Sequence, residues 1–158
     1  MSLTKHVEFG EAFSWARDDS LGVLIKHMID LAVPLSSQPS HAWLIPVLDR
    51  WRRVAVVSPC GWGFDPAMPA NQIQVISRLL REACGVLSRR DVIPNAEIAS
   101  WEILDDLRIC LRTSAPLPTA CVVELAEAVI ALLENRLPPP PPGKRHWYHG
   151  FPEGVFAG

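Results

Sequence analysis

The 158 residues contain no long apolar run, although a bilayer-spanning helix needs roughly 20 such residues in succession. An excess of one charge is also missing. Lys and Arg total 15 against 17 Asp and Glu, a formal charge of -2, and broad nucleic-acid binding depends on neutralising many phosphates. Cys60, Cys84, Cys110 and Cys121 form no CxxC pair and no dense framework, so reduced thiols in a cytoplasm are expected. GxGxxG, the Walker loop, GxSxG and HExxH are all absent, which leaves the common nucleotide, hydrolase and zincin sites without support. The opening stretch, Met1 to Phe13, carries Lys5, Glu8 and Glu11 and lacks the apolar centre of a signal peptide.

Hydrophobic residues, by contrast, make up 49% of the chain, enough to build the core of one domain. Apolar residues recur at helical spacing in five segments: about Ser20 to Ala32, His41 to Val56, Asn71 to Arg89, Ala96 to Leu111 and Ala120 to Asn135. Pro34 is expected to stop the first helix, and Pro138 the last. Ser58 to Ala70, with its prolines and glycines, reads as an ordered loop covering Trp62 and Phe64. Pro138 to Pro142 favours polyproline II, a stiff strap that carries the aromatic tail His146 to Phe151 back onto the body. The expected architecture is all-α, a bundle of about five amphipathic helices. Residues 1–137 form the helical domain, and 138–158 form a strap and tail within the same fold. A minor β element is allowed at Val54 to Val57 or in the tail.

Among candidate sites, Cys60 lies in a glycine-rich loop, but no histidine stands in a motif that marks it as the base a nucleophilic thiol needs. His146 and His149 make a single HxxH pair, short of the two-ended pattern of a zinc site. No catalytic residue, cofactor or metal is therefore expected. Glu102, Asp105 and Asp106 crowd within one turn of the fourth predicted helix, with Arg108 as the compensating cation. Such a rigid acidic patch would steer a basic partner. Trp62, Phe64, Trp147 and Tyr148 lie in loop and tail, where aromatic residues serve either local cover or binding.

The Trp101 to Arg112 segment, the helix Val122 to Leu133 and the closing LPPPPPGKRHWYHGFPEG resemble, in general type, the small cytosolic immunity proteins that bacteria encode beside toxins. That resemblance implies a non-enzymatic cytoplasmic protein that blocks a cognate toxin by direct binding. Its expected partner is a protein with a basic cleft, with neither nucleic acid nor membrane involved. Two other readings stay open: a small enzyme using Cys60 with a histidine, and a structural adaptor subunit.

Overall fold

The computed structural model describes residues 3–158. Met1 and Ser2, the start of the stretch read for a leader, lie outside the described residues. The chain begins with a hairpin, β1 (Thr4–Phe9) and β2 (Ala12–Arg17), and runs into α1 (Asp18–Ser36). A short 3-10 turn precedes α2 (Leu44–Val56); β3 (Trp62–Phe64), α3 (Ala70–Leu87), β4 (Val92–Ile93), α4 (Asn95–Ala99), β5 (Leu117–Pro118) and α5 (Thr119–Leu133) follow. The tail adds β6 (Trp147–His149) and β7 (Phe156–Ala157).

The all-α expectation is overturned, because the fold is mixed α/β around a five-stranded sheet ordered β3-β1-β2-β6-β7. The hairpin pairs antiparallel from Thr4↔Arg17 to Phe9↔Ala12, β3 joins β1 in parallel, and β6 joins β2 in parallel. Gly10, at φ 63°, closes the hairpin at the first central position, where a type II′ turn needs positive φ. A second, two-stranded sheet pairs β4 with β5.

Four of the predicted helices are present as α1, α2, α3 and α5, with ends moved by a few residues. Helix α1 is their hub, packing on α2, α3 and α5, while α3 and α5 pack on each other. Leu21, Leu24, Ile25 and Met28 of α1 are fully buried, as the stripe required. Pro34 does not end α1; the helix continues to Ser36. The backbone acceptor that Pro34 leaves unpaired belongs to Asp30, an exposed residue where water can satisfy it. Val54 to Val56 close α2 as helix and form no strand.

The fourth predicted helix is the larger correction. Only Asn95–Ala99 is helical, and residues 100–116 form an irregular loop. Leu104 and Leu107 bridge across a tight turn at Asp105–Asp106, with Asp105 at φ 50°. Aspartate tolerates this left-handed conformation better than most residues. Ile103 and Ile109 are the side chains the loop buries, whereas Leu107 is 44% exposed. Ile109 reaches α1 at Gly22, where an added Cβ would lie 3.1 Å from its Cγ1 and Cγ2, so the missing side chain lets the loop dock.

Lys5 is turned inward from β1 and buried. Its ammonium donates to the carbonyls of Val54 (2.6 Å) and Val57 (3.1 Å), capping the C-terminal end of α2. Burial pushes its pKa below the ordinary 10.5, and the Asp18 charge only partly opposes this. The unfolded chain therefore keeps the Lys5 proton to higher pH than the native one, and stability should rise as pH climbs through the window just below 10.5. Burial also raises the Cys84 and Cys121 thiols above 9.0, which works in the opposite direction. Denaturant unfolding from neutral to alkaline pH should give Lys5→Met a less positive slope than wild type, the thiol contribution being common to both. Equal slopes would show that Lys5 titrates as if solvated.

Candidate functional site

Among the described residues, helices cover one face of the large sheet and leave the other open. Residues Lys5 and Val7 of β1 and Ser14 and Ala16 of β2 are buried beneath α1 and α5. Alternation then turns His6 and Glu8, Phe13 and Trp15 to the opposite face. This is the reverse of an ordinary half-buried hairpin, with the bulkiest rings on the side that no helix covers.

The register extends these rings into a row. His6 lies opposite Trp15, Trp15 opposite Tyr148, and Tyr148 opposite Phe156, so one aromatic or imidazole ring from each of β1, β2, β6 and β7 stands in line. His6 and Trp15 meet edge to face at 5.9 Å, and Tyr148 and Phe156 stack at 4.7 Å with planes 2° apart. Phe13 flanks the row, packing on His146 at 4.7 Å, and Phe151 meets Phe156 at 5.1 Å. Phe13 is 40% exposed and Phe156 46%. Contacts of this kind contribute roughly 0.5–1.5 kcal/mol per pair, enough to hold the rings in place as a preformed apolar platform.

The opposite side of the tail anchors it. His149, next to Ala16 on the covered face, bonds through Nδ1 to Glu124 Oε2 at 2.7 Å, and the Gly150 amide donates to Glu124 Oε1 at 2.8 Å. Ser20 donates its hydroxyl to the Gly150 carbonyl at 2.5 Å. Trp147 donates its indole N–H to the Pro138 carbonyl at 2.8 Å, tying the strand to the proline segment. The chain end closes the tail hairpin, with His146 and Gly158 exchanging backbone hydrogen bonds.

The sequence candidates fall into three places. Tyr148 stands in the aromatic row, and Trp147 is half-buried beside the proline segment. Trp62 and Phe64 are 1% and 5% exposed and pack on each other, with Trp62 also packing on Trp51, leaving almost no side-chain surface for a partner. Glu102, Asp105 and Asp106 are exposed on the loop, and among the described residues none of their carboxylates is ion-paired. Arg108 donates to the carbonyls of Asp105 and Leu107, not to a carboxylate, so it does not fill the compensating role expected of it. His6, Phe13, Trp15 and Phe156 were outside the predicted set.

The enzyme reading requires Cys60 near an imidazole. Among the described residues Cys60 makes no hydrogen bond to any histidine, although the His6 ring lies over the neighbouring Gly61. The HxxH pair is split between faces, His146 joining the aromatic patch and His149 the buried network. No group of three or more His, Cys, Asp or Glu among the described residues is placed to hold a metal ion. Within the same residues, no helix is long and apolar enough to cross a membrane. Compared with protein-family models, curated proteins and solved structures, the chain matches none.

Proposed function

We propose that this protein is non-enzymatic and acts by binding another protein, with the open face of the five-stranded sheet as its main contact surface. The observation that carries the reading is the in-register row His6, Trp15, Tyr148 and Phe156 on the face that no helix covers. Rigid aromatic side chains bury much area at low entropic cost, which is why they dominate the central contacts of protein interfaces. Within this reading the partner is a bacterial toxin with a basic cleft, the protein serving as its cytoplasmic immunity partner. Three carboxylates of the 100–116 loop, unpaired among the described residues, supply complementary charge, and four free cysteines accord with a reducing compartment.

The two surfaces make separable predictions for binding to such a toxin, to be sought first among the products of neighbouring genes. Replacing Trp15 and Tyr148 together by alanine should weaken binding at least about a hundredfold, mainly through faster dissociation, as loss of central aromatic contacts does. Replacing Asp105 and Asp106 by lysine should leave dissociation little changed and slow association about tenfold at low salt, the difference fading as salt rises. Surface plasmon resonance at two ionic strengths reads both effects. Wild-type kinetics in the aromatic variant would remove the sheet face from the mechanism.

A further inference from the structure

Away from the sheet face, a cleft of about 230 Å³ opens where α4, β5 and the tail meet the start of α1, and a buried arginine lines it. Arg17 is only 8% exposed. Its Nε lies 2.8 Å from Asp19 Oδ1, and its Nη2 donates to Asp19 Oδ2 at 3.0 Å, so one side of the planar guanidinium is fully engaged. The second donor edge, formed by Nη1 and the remaining Nη2 hydrogen, has no partner among the described residues. Nη1 is also absent from the polar atoms sealed away without a hydrogen bond, so solvent reaches it. A buried guanidinium thus keeps a two-donor fork for an acceptor from outside.

The surroundings define that acceptor. Leu111, Pro116, Leu117 and Pro152 make the walls mainly apolar, and Asn95, whose amide donates to the Thr113 carbonyl, adds a polar edge. The volume lies below the range of drug-sized sites, about 300–1,000 Å³. Around the first turn of α1, Arg17 pairs with Asp19 and Arg112 with Asp18, so the carboxylates nearest the cleft are already engaged by arginines. Exposed Glu153 on the rim adds one negative charge at the mouth. A doubly charged phosphate would set its second charge against Asp19, Glu153 and apolar walls. A planar, singly charged carboxylate matches the two-donor fork and sets less negative charge against Asp19 and Glu153 than a phosphate does. We infer that this cleft binds a small carboxylate bearing a short apolar body, held by the free fork of Arg17. The site is independent of the sheet face and of the toxin-binding proposal.

Calorimetric titration of the full chain with butyrate tests the inference, with butanamide as the neutral isostere and N-acetylalanine as a stand-in for a peptide C-terminus. Saturable millimolar binding of either carboxylate, with butanamide at least about tenfold weaker, is the expected result. Preference for N-acetylalanine over butyrate would assign the site to chain termini, and the reverse preference to free acids. Ala115→Trp fills the cleft from an exposed wall position and should abolish binding without lowering the melting temperature. Should that variant lose stability, Arg17→Lys keeps the charge without the planar fork and should weaken binding to the same degree. The inference is overturned if neither carboxylate saturates, if butanamide binds equally well, or if binding survives in a folded Ala115→Trp protein.

Discussion

A chain ending at Leu137 should fail to fold, or melt far below the full protein, because the last residues complete the sheet. Truncation removes β6 and β7 and leaves β2 as an unprotected edge. The Ser20 hydroxyl, in a fully buried residue, loses the Gly150 carbonyl, and Glu124 loses both His149 and the Gly150 amide. Each buried hydrogen bond is worth about 1 kcal/mol, and an orphaned buried group costs about 1–3 kcal/mol more. Trp15 also loses its cross-strand neighbour Tyr148. The total, at least about 5 kcal/mol, rivals the whole stability of a typical domain, about 5–15 kcal/mol. Circular dichroism and a thermal melt of the truncated chain would check this. A cooperative transition at the full-length temperature would mean that helices and hairpin close without the tail. Glu124→Gln should give a smaller loss of about 1–2 kcal/mol, since its amide can still accept one of the two bonds.

The helices were legible because apolar residues at 3.6-residue spacing survive in the sequence, even though α1 is buried on every side over Asp18–Ile25 and α5 over most of its length. The hairpin hid itself by inversion. Its covered face holds Lys5, Ser14 and Ala16, whereas Phe13 and Trp15 point to the uncovered face. A reader seeking alternating large apolar residues on the core side finds the wrong side, or no strand at all. That inversion is also the strongest functional signal in the chain: large rings placed where the fold does not need them are available for something else. Gly10 between Phe9 and Phe13 was the local cue to the turn.

The loop after α4 misled for a different reason. Ile98, Trp101, Leu104 and Leu107 repeat every three residues, which mimics a helix face. The structure instead buries Ile103 and Ile109 and turns back at Asp105–Asp106. Tertiary contact with Gly22 and Arg112 pairing with Asp18 fix this path, and neither is local in sequence. The acidic cluster survives the correction as three exposed carboxylates, although the argument from like charges on one helix does not. Strands of two or three residues, such as β6 and β7, are too short to show any period. Tyr148 was visible as an aromatic in the tail, but its alignment with Trp15 depended on a parallel pairing 133 positions apart that no local pattern announces.

The second large effect is expected at the start of α1, where two acidic residues each engage an arginine. Asp18 receives Arg112 and Asp19 receives Arg17, all four groups being largely removed from water. Carboxylates in the first turn are favoured by the unpaired N–H groups there, and Asp19 also accepts from the Ser20 amide at 2.8 Å. The pairs themselves add little net stability, since desolvating two charges offsets most of their attraction. Breaking one is a different matter. Asp19→Ala leaves Arg17 as a buried cation without its counter-ion, and should destabilise the fold by about 3 kcal/mol, the low end for a broken buried pair because Arg17 lines a solvent-open cleft. Arg17→Met combined with Asp19→Leu replaces both charges with apolar volume and should recover most of that loss. Urea denaturation of wild type, the single variant and the double variant measures the difference directly. If the double variant is no more stable than Asp19→Ala, the penalty comes from lost packing at the helix start and not from the stranded charge of Arg17.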